Sequence, residues 1–150
     1  MNILLVAATP FEIAGAVQWL EQNGQSVEPG VFLYKHLTIR VLVTGVGPNN
    51  TAWELGLSLG ASLPDWAINA GVAGAFDRNL SLGEVVHVVQ ERFGDLGVEE
   101  ADGSFTDLFE LGLLAPDQPP YQKALLRDPD LSQAEFLPRV KGVTVSKVHG

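Results

Sequence analysis

The sequence predicts an α/β fold, and three observations carry that expectation. Apolar runs such as Ile3-Leu4-Leu5-Val6 have the length and character of strands buried on both faces. Helical segments with readable start and stop signals alternate with them, and loops of small residues follow the strand ends. A chain of 150 residues is one domain by default and long enough for a sizeable core.

The elements follow in order. Asn2–Ala7 reads as a strand. Thr9 then stands as an N-cap, Pro10 at the first helical position and Glu12 in the first turn. Ile13, Val17 and Leu20 repeat at helical spacing until Asn23-Gly24 ends the helix. Val31–Tyr34 and Leu37–Val43 read as two strands joined at Lys35-His36, the second running into the loop Gly45-Val46-Gly47-Pro48-Asn49. A second helix is expected from about Asn50 to Leu59, with Ala52, Leu55 and Leu59 on its apolar side. Pro64-Asp65 opens a further buried strand, Trp66–Asn69, which breaks at Gly71-Val72-Ala73-Gly74-Ala75-Phe76. Ser81-Leu82-Gly83 is a turn, and Glu84–Glu91 alternates like a strand. The stretch from Gly94 to Pro120 is poor in regular signals, with Ala115-Pro116 and Pro119-Pro120 marking loops. A helix around Tyr121–Arg127 and a β-rich segment over Gly142–Val148 complete the expectation. The chain shows no internal repeat and no low-complexity tract.

Composition excludes several function classes. Apolar residues make up 46% and charged residues 18%, the balance of a globular chain rather than a disordered one. A formal charge of −9 sets the chain against nucleic acid and anionic membranes, which would repel it at long range. With no cysteine there is no disulfide framework and no thiolate chemistry. The N-terminal apolar run is too short for a secretory segment and has no basic residue before it, and no stretch reaches the roughly 18 apolar residues of a membrane span. A cytoplasmic location is the expectation.

In an α/β sheet, ligands bind beyond the C-terminal ends of the strands. Three small-residue loops leave strand ends here, Ala7-Ala8-Thr9, Gly45–Asn49 and Gly71–Ala75, and they are expected to converge on one site. GVGPNN starts like a dinucleotide fingerprint but lacks its third glycine, and no lysine follows to make a phosphate loop, so no cofactor is expected. A sharp strand-to-helix turn accounts for Gly45. NAGVAGAF leaves backbone groups bare, which suits the close approach of a flat ring or a sugar, or equally the packing of a loop under a neighbouring element. Glu12 has two readings as well: a carboxylate favourably placed at a helix N-terminus, or the charged group of a pocket. His36, His87 and His149 are widely spaced and show no metal-ligand pattern. His87 falls in the alternating run VVHVVQ and reads as structural. Asp95, Glu99, Glu100 and Asp102 form an acidic loop, read either as solvated charge or as a loop that shapes the pocket for a polar substrate tail. Phe105, Phe109, Leu111, Leu113 and Leu114 read as core or dimer contacts, and Trp53 and Trp66 as packing residues.

Three segments carry a resemblance. ATPFEI after the first strand, TGVGPNNTA after the third, and PDWAINAGVAGAF with LSLGEVV behind it resemble the purine nucleoside phosphorylase/nucleosidase superfamily. The likeness is to its hydrolase branch, which includes the methylthioadenosine/S-adenosylhomocysteine nucleosidases. Within that branch ERFGDLGVEEADG, TDLFELGLL and VTVSKVHG look most like the futalosine hydrolases of menaquinone biosynthesis. The resemblance implies a three-layer α/β/α fold around a central mixed sheet, and a homodimer with sites near its interface.

It also implies roles. A glutamate where Glu12 stands binds and activates the water that attacks the anomeric carbon. Ala8, Thr9 and Val46 would line the ribose or 5′-substituent region, while Gly71, Val72 and Ala73 would face the nucleoside. Phosphorylases of the superfamily hold phosphate with arginines near these loops, yet this chain has none between Met1 and Ile39 and none from Val41 to Asp77, which favours water as nucleophile. The methylthioadenosine nucleosidases carry serine where Val72 stands. Valine cannot hydrogen-bond a sugar, so futalosine is the expected substrate, with methylthioadenosine/S-adenosylhomocysteine cleavage or non-catalytic nucleoside binding as alternatives. Neither metal nor cofactor is implied.

The family normally continues past the segment matching VTVSKVHG. That continuation carries a Met-Glu motif gripping the ribose hydroxyls and an aspartate that protonates the purine, and neither motif occurs in residues 1–150. Residues 1–150 are therefore expected to be the N-terminal part, roughly two-thirds, of a single nucleosidase-like domain, and to be inactive alone.

Overall fold

The computed structural model describes residues 1–128 and 134–147. The chain divides into two compact units, Met1–Phe76 and Asp77–Gly150.

The first unit is built on β1 (Asn2–Ala7), a continuous apolar strand paired on both edges. Its side chains alternate between two faces. Leu4, Val6 and Ala7 are buried, and Leu4 is fully so. Ile3 and Leu5 instead join the cluster formed by Leu20, Phe32 and Ile39. A run that is apolar at every position is thus used on both sides, as the sequence requires.

Helix α1 (Pro10–Asn23) follows with the expected chemistry at both ends. Thr9 is its N-cap in extended conformation, Pro10 opens the first turn, and Thr9 with Glu12 forms a capping box. At the far end the Gly24 amide donates to the Leu20 carbonyl at 2.8 Å. Ile13 and Leu20 are buried and Val17 half-buried, so the predicted face is the one that packs.

Then come β2 (Gln25–Glu28), β3 (Val31–Tyr34), β4 (Leu37–Val43), helix α2 (Pro48–Ala61) and β5 (Trp66–Asn69). They assemble a five-stranded mixed sheet in the order β2-β3-β4-β1-β5. β1 is parallel to β4 and β5, whereas β3 is antiparallel to β2 and β4. β2 was not expected: all four of its residues are exposed, so no apolar alternation betrays it. α2 begins at Pro48, not near Asn50, and none of its residues is buried. Leu55 and Leu59 are half-buried, but Ala52 is exposed and Trp53 is 68% exposed, so Trp53 is not the packing residue the sequence suggested.

The second unit holds β6 (His87–Phe93), β7 (Gly97–Glu99), β8 (Phe105–Asp107), β9 (Leu126–Arg127) and β10 (Arg139–Thr144). β10 pairs parallel to β6, β9 pairs antiparallel to it, and β7 and β8 make a hairpin. β6 starts later than the expected Glu84 because Glu84 closes a turn. Its amide donates to the Ser81 carbonyl at 3.1 Å, and its carboxylate accepts the Ser81 amide at 2.8 Å. The hairpin lies inside the stretch read as irregular. The helix expected around Tyr121–Arg127 does not form. Lys123 and Ala124 have φ of 52° and 61°, and their amides are drawn to Asp117 Oδ1 and the Pro116 carbonyl, each at 2.8 Å. Such left-handed residues cannot propagate a helix. The last strand begins at Arg139, ahead of the expected Gly142, and both Val148 and His149 lie outside the described residues. Among the described residues no helix is long and apolar enough to cross a membrane.

Candidate functional site

Parallel pairing places three strand ends side by side. Ala7 of β1 sits opposite Val43 of β4, and Val6 opposite Asn69 of β5. The ladder continues one step into the loops, with the Thr44 amide donating to the Ala7 carbonyl at 2.9 Å and the Ala70 amide to the Val6 carbonyl at 2.8 Å. The three small-residue loops therefore leave one edge of the sheet together, at its C-terminal end.

Each loop is shaped by local chemistry. After β4, Gly45 and Gly47 adopt φ of 82° and 98°, values open to glycine at little steric cost. Thr44 is buried, and its hydroxyl lies 3.1 Å from that of Thr51 in α2, which fastens this loop at both ends. Sequence reasoning passed over Thr44; the signal was a hydroxyl residue closing an apolar strand just before a glycine. Val46 lies between the two glycines and is 71% exposed. After β5, Gly71, Val72 and Ala73 are all exposed.

Glu12 links the first loop to the third. Its Oε2 accepts the Thr9 amide at 2.7 Å and the Thr9 hydroxyl at 2.9 Å. Its Oε1 accepts the Val72 amide at 3.3 Å, across 60 residues of sequence. Gly71 lies directly beneath, since a Cβ built there would stand 3.1 Å from Oε1. Burial pushes the Glu12 carboxyl up, but the hydrogen bonds from the Thr9 side chain and from the Val72, Thr9 and Ala8 backbones outweigh it and hold the group below the ordinary glutamate value. It is a carboxylate at neutral pH.

The structure thus brings Glu12, Ala8, Thr9 and Val72 into one hydrogen-bonded cluster with Gly71 beside it, and places Ala73 and Val46 on the adjoining loops. A half-buried carboxylate with one oxygen facing a bare loop can orient water or face a cationic centre. The acidic residues of the second unit do something simpler. Asp102 accepts the Ser104 amide and hydroxyl, and Glu100 accepts the Thr106 hydroxyl, so both brace their own loop. His87 Nε2 is 2.5 Å from Asp128 Oδ2, consistent with its structural reading. Among the described residues no cluster of histidine and carboxylate side chains could hold a metal ion.

Comparison with known proteins agrees with this architecture. The chain is 30% identical over 127 residues to the 5′-methylthioadenosine/S-adenosylhomocysteine nucleosidase of Maridesulfovibrio salexigens, covering 81% of this chain and 52% of that protein. The nucleosidase of the same description from Bacillus licheniformis is 29% identical over 106 residues, 68% of this chain and 46% of that one. Among solved structures, the MTA/SAH nucleosidase of Streptococcus pneumoniae in complex with 8-aminoadenine superposes with a TM-score of 0.68 at 23% identity, covering 98% of this chain and 64% of that one. The futalosine hydrolase of Helicobacter pylori superposes at 0.61 and 16% identity, covering 97% and 64%. The chain spans about half the length of these curated relatives. The phosphorylase-superfamily sequence model matches residues 2–145, through both units, and the chain belongs to that superfamily.

Proposed function

We propose that the protein carrying this chain is a nucleosidase that hydrolyses the N-glycosidic bond of a purine nucleoside, with Glu12 activating the attacking water. The observation that carries this reading is the Glu12 carboxylate itself: ionised, bridging two strand-end loops, with Oε1 above the bare Gly71. Cleavage passes through an oxocarbenium-like state, which needs negative charge near the sugar, a base for water and an acid for the departing purine. Glu12 supplies the first two. Water oxygen bonds to the anomeric carbon as its proton passes to Glu12, and the bonding pair of the C–N bond leaves with the purine. The departing purine takes its proton from a general acid. Ala8, Thr9 and Val46 line the sugar and its 5′-substituent, and Gly71, Val72 and Ala73 face the nucleoside.

Water is favoured over phosphate because no arginine stands in the three loops. Futalosine is favoured as substrate, with hypoxanthine and dehypoxanthinyl futalosine as products, because Val72 offers the sugar no hydrogen-bonding side chain. In this reading residues 1–150 belong to one nucleosidase-like domain of a cytoplasmic homodimer in menaquinone biosynthesis. The family match running through both units supports the single domain.

Cleavage of methylthioadenosine or S-adenosylhomocysteine is a second reading, favoured by the curated relatives at 29% and 30% identity, which carry that name. The test incubates the gene's full product with futalosine and with methylthioadenosine, and follows free purine with and without phosphate. Hypoxanthine release from futalosine, unchanged when phosphate is omitted, is the expected result. Release from methylthioadenosine alone establishes the second reading, and release that requires phosphate overturns hydrolysis.

A further inference from the structure

The two oxygens of Glu12 are held unequally. Oε2 accepts two donors from one residue, the Thr9 amide at 2.7 Å and the Thr9 hydroxyl at 2.9 Å. Oε1 meets the Val72 amide at 3.3 Å and looks onto Gly71. A capping box requires the Thr9 hydroxyl to accept the Glu12 amide and the Glu12 carboxylate to reach the Thr9 amide. Here the hydroxyl sits 3.4 Å from that amide but 2.9 Å from the carboxylate. Its shorter bond is the one it donates to the charged group, which the helix start does not need. Hydrogen bonds to an ionised acceptor are the stronger kind, and two on one oxygen fix the plane and rotation of the carboxylate.

We propose that Thr9 is a positioning residue: by holding Oε2 on its amide and hydroxyl, it makes Oε1, above the bare Gly71, the oxygen that takes the attacking water. The inference rests on the nucleosidase reading of Glu12. It gives Thr9 a part beyond lining the sugar and explains why residue 71 carries no side chain. A carboxylate oxygen has about two acceptor sites, so Oε2 is filled by Thr9 while Oε1, with one long bond to Val72, has a place left. A methyl group at residue 71 would stand 3.1 Å from Oε1 and crowd it.

The experiment measures purine release by the gene's full product as wild type, Thr9→Val, Thr9→Ser and Gly71→Ala, with Glu12→Gln as reference. Thr9→Val is expected to lower kcat by about tenfold to a hundredfold, the scale of a small misplacement of a reacting group. KM should stay within about twofold, because transition-state stabilisation and not ground-state binding is lost. Loss of the hydroxyl donor should also move the acid limb of the pH profile upward, a change that a weakened helix start alone does not produce. Thr9→Ser, which keeps both cap and donor, should restore turnover to within about threefold and return the limb to its wild-type position. Gly71→Ala should lower kcat with an unchanged Tm, since residue 71 is exposed and its backbone does not require glycine. Wild-type kcat and acid limb in Thr9→Val, or a Thr9→Ser variant as impaired as Thr9→Val, overturns the inference. If Glu12→Gln is inactive while Thr9→Val is normal, this inference alone falls. If Glu12→Gln turns over normally, the nucleosidase reading falls and takes the inference with it.

Discussion

Glu12 makes two kinds of contact at once, within its own helix start and across to a distant loop. Its carboxylate completes the capping box of α1 and reaches across to Val72. T-x-x-E ahead of an apolar run announces the first role. The bond to Val72 was invisible, because a contact across 60 residues leaves no trace in local spacing. The lowered pKa has a direction that can be checked. As pH falls through the depressed folded value the carboxylate protonates, and both its stabilising bonds and its capacity as a base are lost. The acid limb of kcat/KM set by Glu12 should therefore lie below the ordinary glutamate value. A limb at or above that value would contradict the hydrogen-bonded carboxylate. Val72 yields a prediction of specificity. Val72→Ser adds a hydroxyl able to meet a sugar, and a single such bond is worth roughly threefold to tenfold. The ratio of methylthioadenosine to futalosine kcat/KM should rise by that factor, and an unchanged ratio would remove Val72 from the substrate's surroundings.

At the scale of elements, legibility followed the kind of signal each segment carried. α1 was readable from Thr9 to Gly24 because cap, first-turn proline, apolar spacing and terminator agree. β1, β3, β4 and β5 were readable from their apolar runs, although Ala67, Ile68 and Asn69 of β5 are exposed where a buried strand was expected. β2 is held by backbone pairing to β3 and buries nothing, so its sequence QSVE looks like a loop. The β7–β8 hairpin has arms of three residues, too short for alternation to show. A helix was expected around Tyr121–Arg127, but acceptors in the preceding loop captured the amides of Lys123 and Ala124. Gly24 is a point where one element closely constrains another. A Cβ there would stand 2.9 Å from both the Leu20 and Leu33 carbonyl oxygens, atoms of the backbone that cannot swing away. Gly24→Ala should therefore cost about 1–3 kcal/mol, the usual range for overpacking, and lower Tm by several degrees. A melting temperature equal to wild type would show that this corner is looser than described.

For the whole molecule, the first unit carries both the site and the best-defined core. Leu4 is its most enclosed side chain, in β1, the interior strand whose end leads into Glu12. Leu4→Ala should cost about 2–5 kcal/mol in denaturant unfolding, and a loss below about 1 kcal/mol would mean that the core does not hold this unit together. The second unit was less legible because short strands and captured loops shape it, not long apolar runs. The central claim comes down to one measurement, the kcat for purine release of Glu12→Gln against wild type in the gene's full product. Glutamine at this position keeps the reach of the capping box, so the fold is retained while the base is removed. The account predicts a fall on the order of 10²–10⁴-fold with Tm nearly unchanged; a loss below about threefold would return Glu12 to helix-start chemistry alone and contradict it.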